Sequence, residues 1–394
     1  MNTFATAAGL TLSADTQIKF QHYDPDSFTA PDGGFAFDDI HVSAPVSSPL
    51  TLSGPVFYLR LDNTNPSAPV LDVWNNATAS GSPSQTALLS TISSLTVTGT
   101  AAADTLIIDF ANGDPLPPSG VSFTGGSGAN SLGLVDDSSG DTVVLNATTA
   151  TLTSPVFGST VISYSAGGGG TTAVTVTGGS GNDTLTQSAA LAAQPTFAGG
   201  AGNDVLNVNA GAYAFNSDAS ATTGSLTVNV AAGASTTFNA VQHLAALNID
   251  GGAASLTATG GKVLVTKSLS IINGGRLDLN DNDMIVDYTG ASPIGTWNGS
   301  AYSGILGLIQ TGRNNAAWNG PGIDSTNAAG TGGLTSLGVD EAASQFQITA
   351  GQTALFDSQT VDDTAVIIKY TYAGDANLDG RLNGDDYFAI DSHV

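Results

Sequence analysis

The sequence predicts an all-β protein, a right-handed parallel β-helix or β-solenoid, with a β-rich N-terminal cap and a short loop and helix at the C-terminus. Three observations predict it. Helical periodicity is nearly absent, and short runs rich in β-branched residues recur instead. Clusters of Gly, Asn, Asp and Ser separate the runs, and 49 glycines let the chain turn at positive φ with little steric cost. A nine-residue pattern is spelled twice, as "GGSGNDTLT" (178–186) and "GGAGNDVLN" (199–207). Self-similarity at a fixed spacing is the mark of a coil whose turns stack.

In chain order, residues 1–45 contain "GGFAFDDIHV" (33–42), which reads as a closing strand. They form either the tail of a larger module or the first cap of the coil, whose bare end would expose apolar surface and unpaired edge groups. Residues 46–244 form the repeat-bearing solenoid. The strand runs here are "SLTVTG" (94–99), "TLIIDF" (105–110), "TVVLNA" (142–147), "TVISYS" (160–165), "AVTVTG" (173–178) and "SLTVNV" (225–230). A two-motif unit occurs twice. "SLTVTGTAAADTLIID" (94–109) matches "AVTVTGGSGNDTLTQS" (173–188), and "VSFTGGSGANSLGLV" (121–135) matches "PTFAGGAGNDVLNVN" (195–209). Asp104 therefore aligns with Asp183 and Asn130 with Asp204; the first copy is eroded. Residues 245–372 continue the rhythm through "KVLVTKSLSII" (262–272) and "MIVDY" (284–288), until an Asn- and Gly-rich stretch at 307–330 breaks it. Trp297, Tyr302 and Trp318 nearby could stack on sugar rings or close the end of a core. Residues 373–394 are a calcium loop followed by a helix, on the pattern given below.

Composition narrows function. The chain carries 33 acidic and 8 basic residues, a formal net charge of −25, yet only 10% of residues are charged. Few basic groups can pair the acids, so bound cations are the natural substitute. Phosphate binding needs clustered Lys and Arg, which excludes a nucleic-acid partner. There is no cysteine, hence no disulfide and no thiolate metal site. No stretch approaches ~20 apolar residues, so no membrane span is expected. The start lacks the basic and apolar regions of a signal peptide. Both ends read as cuts through larger modules.

The sharpest motif is "GDANLDGRLNGDD" (374–386). As a twelve-residue calcium loop it places Asp375, Asn377 and Asp379 at positions 1, 3 and 5, and Gly380 at the sharp turn of position 6. Arg381 offers its backbone carbonyl at 7, Asn383 stands at 9 and Asp386 closes at 12. A strand precedes the loop where an EF-hand would have a helix. A loop followed only by a helix, with Asp at its last position, resembles a type I dockerin repeat. Dockerins pack two such repeats; this chain has one, which speaks against a cohesin partner. The bland alternative is a polar tail with accidental spacing.

The nonapeptides resemble the RTX, or haemolysin-type, calcium repeats of secreted bacterial proteins, G-G-x-G-x-D-x-U-x with U apolar. That resemblance implies that Gly179, Gly181, Gly200 and Gly202 expose carbonyls to calcium and that Asp183 and Asp204 add charged oxygens. Leu185 would turn inward as the anchor. Here single copies stand one longer turn apart instead of running without a break, which favours a wider β-helix with one or two ions between neighbouring turns. The alternative is glycine turns capped by Asp or Asn without metal. Residues 245–372 resemble the segment that precedes dockerin-like tails in bacterial surface proteins with autotransporter-like β-helices.

No catalytic constellation is visible. His22, His41, His243 and His393 fall in unrelated segments, and no G-x-S-x-G or H-E-x-x-H occurs. Adjacent acids such as Asp136/Asp137 and Asp385/Asp386 point to opposite faces when on a strand. The expectation is thus a non-catalytic structural or adhesive segment of an extracellular, cell-surface protein, stiffened by calcium and touching surface glycans or other surface-protein segments. The alternative is the non-catalytic part of a secreted polysaccharide-degrading enzyme. A smooth polar wall favours the first, a carboxylate-lined groove the second.

Overall fold

A computed structural model describes residues 47–391, except Gly169 and Thr222. The expected cap at residues 1–45 lies outside the described residues. The protein is all-β, with thirty strands and a few short helices among the described residues. Within the described residues, each run expected to be a strand overlaps one strand or two successive strands; the closing strand expected at 33–42 lies outside them.

The strands are amphipathic in the simplest way. In Ala129–Val135, Asn130, Leu132 and Leu134 are buried while Ser131, Gly133 and Val135 are half-exposed. Successive side chains of a strand point to opposite faces, so alternating apolar and small polar residues bury one wall and wet the other. Parallel pairing then puts like on like. Val143, Leu185, Leu206, Val228, Leu247 and Leu269 are register partners in succession across one sheet. All but Leu269 are buried in one continuous core.

From Thr223 the chain visits the same three sheets in the same order three times. The passes are Thr223–Ala231, Ala234–Phe238 and Gln242–Leu244; then Ala246–Asp250, Ala253–Leu256 and Val263–Thr266; then Leu269–Ile272, Arg276–Asp278 and Asp283–Asp287. Each strand pairs in parallel with its counterpart one pass later. The sequence boundary between 244 and 245 falls inside this run, and the sheets cross it without interruption. The described residues belong to one compact unit.

Before Thr223 the passes are less regular. An antiparallel strand, Thr149–Ser154, is inserted between Thr142–Leu145 and Gly158–Ala166, so the chain doubles back inside the largest sheet. On the outer wall an amide ladder runs in one direction. Asn248 Nδ2 donates to Asn229 Oδ1 at 2.8 Å, Asn229 Nδ2 to Asn207 Oδ1 at 2.8 Å, and Asn207 Nδ2 to the Thr186 hydroxyl at 3.1 Å. Asn229→Ala breaks two of these bonds and should cost about 1–2 kcal/mol. Urea unfolding checks it; an unchanged midpoint would mean that water replaces the ladder at no cost.

The parallel run ends where Asp283–Asp287 pairs antiparallel with Ala365–Tyr372, itself antiparallel to Thr335–Glu341. The break foreseen at 307–330 is real, but it holds a helix the sequence did not announce. Gly304–Arg313 buries Ile305, Ile309 and Gly312. Gly312 allows the approach, since a Cβ there would overlap the Ile323 carbonyl. Two further glycines in that helix, Gly304 and Gly307, and an N-cap serine that makes no capping bond hid the period. Trp318 is buried in the core, whereas Trp297 and Tyr302 are exposed and pack on each other at 4.9 Å. Among the described residues no helix is long and apolar enough to cross a membrane.

Candidate metal centres

Four of the turns between strands are built from one device. A glycine is followed five residues later by Asp or Asn, as in Gly99/Asp104, Gly125/Asn130, Gly178/Asp183 and Gly199/Asp204. The acid folds back over the glycine, and a Cβ at any of the four glycines would overlap the Asp or Asn side chain. Space therefore selects glycine here, and backbone angle does not: none of the four has a positive φ.

The side chains cap backbone N–H groups of their own and neighbouring turns. Asp104 Oδ1 accepts from Thr100 N at 2.8 Å and Oδ2 from Gly126 N at 2.7 Å. Asn130 Oδ1 accepts from Asp104 N at 3.1 Å while its Nδ2 donates to the Gly126 carbonyl at 3.0 Å. Asp183 Oδ1 accepts from Asp141 N at 2.9 Å and Oδ2 from Gly179 N at 3.3 Å. Asp204 Oδ1 accepts from Asp183 N at 2.8 Å. Each acid thus ties its turn to a neighbour, in bonds strengthened by charge and burial.

Thr184 is the register partner of Val205, so Asp183 and Asp204 stand on adjacent strands, as the 21-residue spacing implied. Their carboxylates are occupied as caps, apart from Asp204 Oδ2, which is buried and unpartnered. Burial raises the pKa of both, opposed at Asp183 by the Asp141 N–H and at Asp204 by the Asp183 N–H. The Gly179 carbonyl accepts from Ala201 N at 3.1 Å. The backbones of Gly181 and Gly202 are in close contact, Gly202 at φ +138°.

A fifth turn departs from the device. Asp136 stands where the others have glycine, and Asp141 is its acid. Val135 pairs with Thr177 and Thr142 with Thr184, which sets Asp136 beside Gly178 and Asp141 beside Asp183. Asp136, Asp141 and Asp183 each bring one oxygen within 4.8 Å of the other two. Sequence reasoning treated Asp136/Asp137 as a diverging pair. The pair does diverge, but Asp136 then meets acids five and forty-seven positions on. The five-residue step shared with the glycine turns was the available signal.

The loop at 375–386 closes on itself. Gly380 has φ +82°, the left-handed turn that position 6 required. Asp375 is buried; its oxygens accept from Asp379 N at 3.1 Å and Gly380 N at 2.9 Å, and from the Thr371 hydroxyl. Asp386 is 1% exposed and accepts from Ala376 N at 2.9 Å and Asn383 N at 2.8 Å. The Asn383 N–H first, then those of Ala376 and Asn377, hold its carboxyl below the usual range. Asn377 Oδ1 accepts from Asp379 N, Asp379 Oδ1 from Arg381 N and Asn383 Oδ1 from Asp385 N. The Asn377 carbonyl takes the Gln345 amide. Asp375 and Asp386, at opposite ends of the turn, are thus buried over backbone N–H groups, while Asp379 is exposed. The loop acids are not drawn as close as the Asp136 cluster.

His243 is held between Asp218 Oδ2, at 2.6 Å from Nδ1, and Gln359 Oε1, at 2.9 Å from Nε2. Both ring nitrogens are engaged, so the imidazole braces the hairpin of Thr353–Phe356 and Gln359–Asp362 against the main sheets. A groove of about 610 Å³ is lined by Asn63, Asn112, Asp114, Asp137, Ser139 and Phe157, among others. Burial pushes Asp114 up to about 6. Burial also raises Asp283, next to Asp357.

These raised acids set a pH dependence. An unfolded Asp loses its proton near 3.8, whereas folded Asp114 keeps it to about 6. Between those values the folded state binds more protons, so stability falls as pH rises. In EDTA, the unfolding free energy should drop from about pH 4 to 6, and Asp114→Asn should flatten the drop. A parent curve that rises over that window would contradict the burial of Asp114.

Comparison of the chain with family models, with curated proteins and with solved structures gave no match.

Proposed function

We propose that this chain is a right-handed parallel β-helix that serves as a calcium-stiffened, non-catalytic structural or adhesive segment of an extracellular surface protein. The observation that carries the reading is the threefold pass through the same three sheets from Thr223 to Asp287, each strand parallel to its counterpart. A stack of this kind gains length one turn at a time and presents a long wall, which suits a spacer or adhesive surface. The outer wall carries Ser, Thr and Asn, and its acids have few basic partners.

Calcium would be held at the C-terminal loop by Asp375, Asn377, Asp379, the Arg381 carbonyl, Asn383 and Asp386. Inward-facing acids at both ends of the loop, with a left-handed Gly380 between them, support that assignment. Bound calcium neutralises like charge and fixes the helix Gly384–Asp391 to the preceding strand. For the nonapeptide turns, Asp204 Oδ2 is the oxygen left to offer an ion.

A second reading, the non-catalytic part of a polysaccharide-degrading enzyme, is favoured by the groove carrying Asp114 and Asp137. The test joins both. Calcium binding only the folded state raises the melting temperature, and EDTA should reverse this. Acidic and neutral polysaccharides should yield no new reducing ends or unsaturated products. Turnover lost on Asp114→Asn or Asp137→Asn would replace both non-catalytic readings with an enzyme, and a melt indifferent to calcium would remove the stiffening role.

A further inference from the structure

We propose that Asp136, Asp141 and Asp183 form a buried calcium site at the corner where Ala129–Val135 and Thr171–Thr177 turn into Thr142–Leu145 and Thr184–Gln187. It is distinct from the C-terminal loop, and it pairs Asp183 with the turn before it instead of with Asp204.

The first ground is charge. The three residues are 6%, 1% and 2% exposed. None of the ion pairs among the described residues includes them. Three carboxylates taken out of water together are costly unless a cation or protons join them.

The second ground is a missing hydrogen bond. In the turns of Asp104 and Asp183, one carboxylate oxygen takes the N–H of the residue after the glycine, Thr100 or Gly179. The counterpart here is Asp137 N, and Asp136 Oδ1 takes it instead, at 3.1 Å. Asp141 is displaced from its usual role. Its Oδ1 accepts from the Ser139 hydroxyl at 3.2 Å, and its Oδ2 is buried with no partner. The residue that breaks the turn pattern thus also brings a third carboxylate and frees an oxygen of the second.

The donor set points to a hard cation, since every ligand atom is a carboxylate oxygen. One oxygen from each acid lies within 4.8 Å of the other two, close enough for the three to share one ion. Calcium accepts an all-protein carboxylate set in flexible geometry, whereas magnesium keeps several of its waters. Asp137, Ser138 and Ser139 of the same turn line the groove and give the ion a path in.

Calcium titration calorimetry on the full chain, stripped with EDTA, tests this. Asp136→Gly restores the residue of the other four turns, so the fold is expected to survive; Asp136→Asn is the shape-matched second variant. Each should bind one calcium fewer per chain than the parent, and Asp136→Gly should melt higher than the parent in EDTA and gain less from calcium. Asp386→Asn, at the C-terminal loop, should remove a different ion, and the double variant both. Parent stoichiometry in both Asp136 variants would overturn the site, leaving the acids to share a proton. Parent stoichiometry in Asp386→Asn would instead count against the loop, so the two failures are read in different proteins. Equal binding of magnesium and calcium at the Asp136-dependent site would overturn the choice of ion.

Discussion

Asp183→Ala should lower the unfolding free energy by about 4 kcal/mol, measured by urea unfolding in EDTA so that ion loss does not contribute. The carboxylate is 2% exposed and caps two N–H groups on two turns, Asp141 and Gly179. Each bond to a charged acceptor is worth about 1.5–3 kcal/mol, and alanine leaves both donors buried without a partner. Asp183→Asn should cost about half as much. Asn130 shows how the amide fits such a corner: its Oδ1 accepts across the turn while its Nδ2 donates to a carbonyl. At residue 183 one oxygen keeps its bond to Asp141 N, but the amide nitrogen would face Gly179 N, donor against donor. Equal stabilities of the alanine variant and the parent would mean that the acid does not hold the turns together.

Gly178→Ala is the second large effect, at about 3 kcal/mol. The added methyl would overlap the Asp183 carboxylate and the carbonyl oxygen of Gly199 on the next turn. The carbonyl belongs to backbone fixed on both sides by parallel pairing, so relief requires a shift of the stack. Gly330 is the contrasting case, because a Cβ there meets nothing within 4 Å. Gly330→Ala should be neutral or slightly stabilising, since it only removes freedom from the unfolded chain. Matching melting temperatures for the two variants would show that the corner is looser than described.

The strands were legible because two simple signals coincide in them. Runs such as "SLTVNV" alternate inward and outward, and glycine or asparagine clusters stop them, so location and buried face follow together. The adjacency of Asp183 and Asp204 was legible because two nearly identical turns lie one short circuit apart. Three features were hidden for physical reasons. The helix Gly304–Arg313 carries its apolar period between glycines that lower its propensity. The strand Thr149–Ser154 looks like any other β run, and nothing local shows that it pairs antiparallel. The cluster of Asp136, Asp141 and Asp183 was obscured because its turn lacks the glycines that make the others recognisable. Its stacked partners are also 42 residues apart, not 21.

That unequal spacing has a practical side. The caps of Asn130, Asp183 and Asp204 join turns separated by 26, 42 and 21 residues with N to O distances of 3.1, 2.9 and 2.8 Å. The cap fixes where a circuit restarts, and the length of chain spent between two caps hardly matters to it. The 42-residue circuit spends its extra length on a full hairpin without disturbing the strands that follow. A foreign peptide spliced beside the exposed Val156 at the hairpin tip, leaving Phe157 stacked on Phe110, should therefore be carried as a side branch.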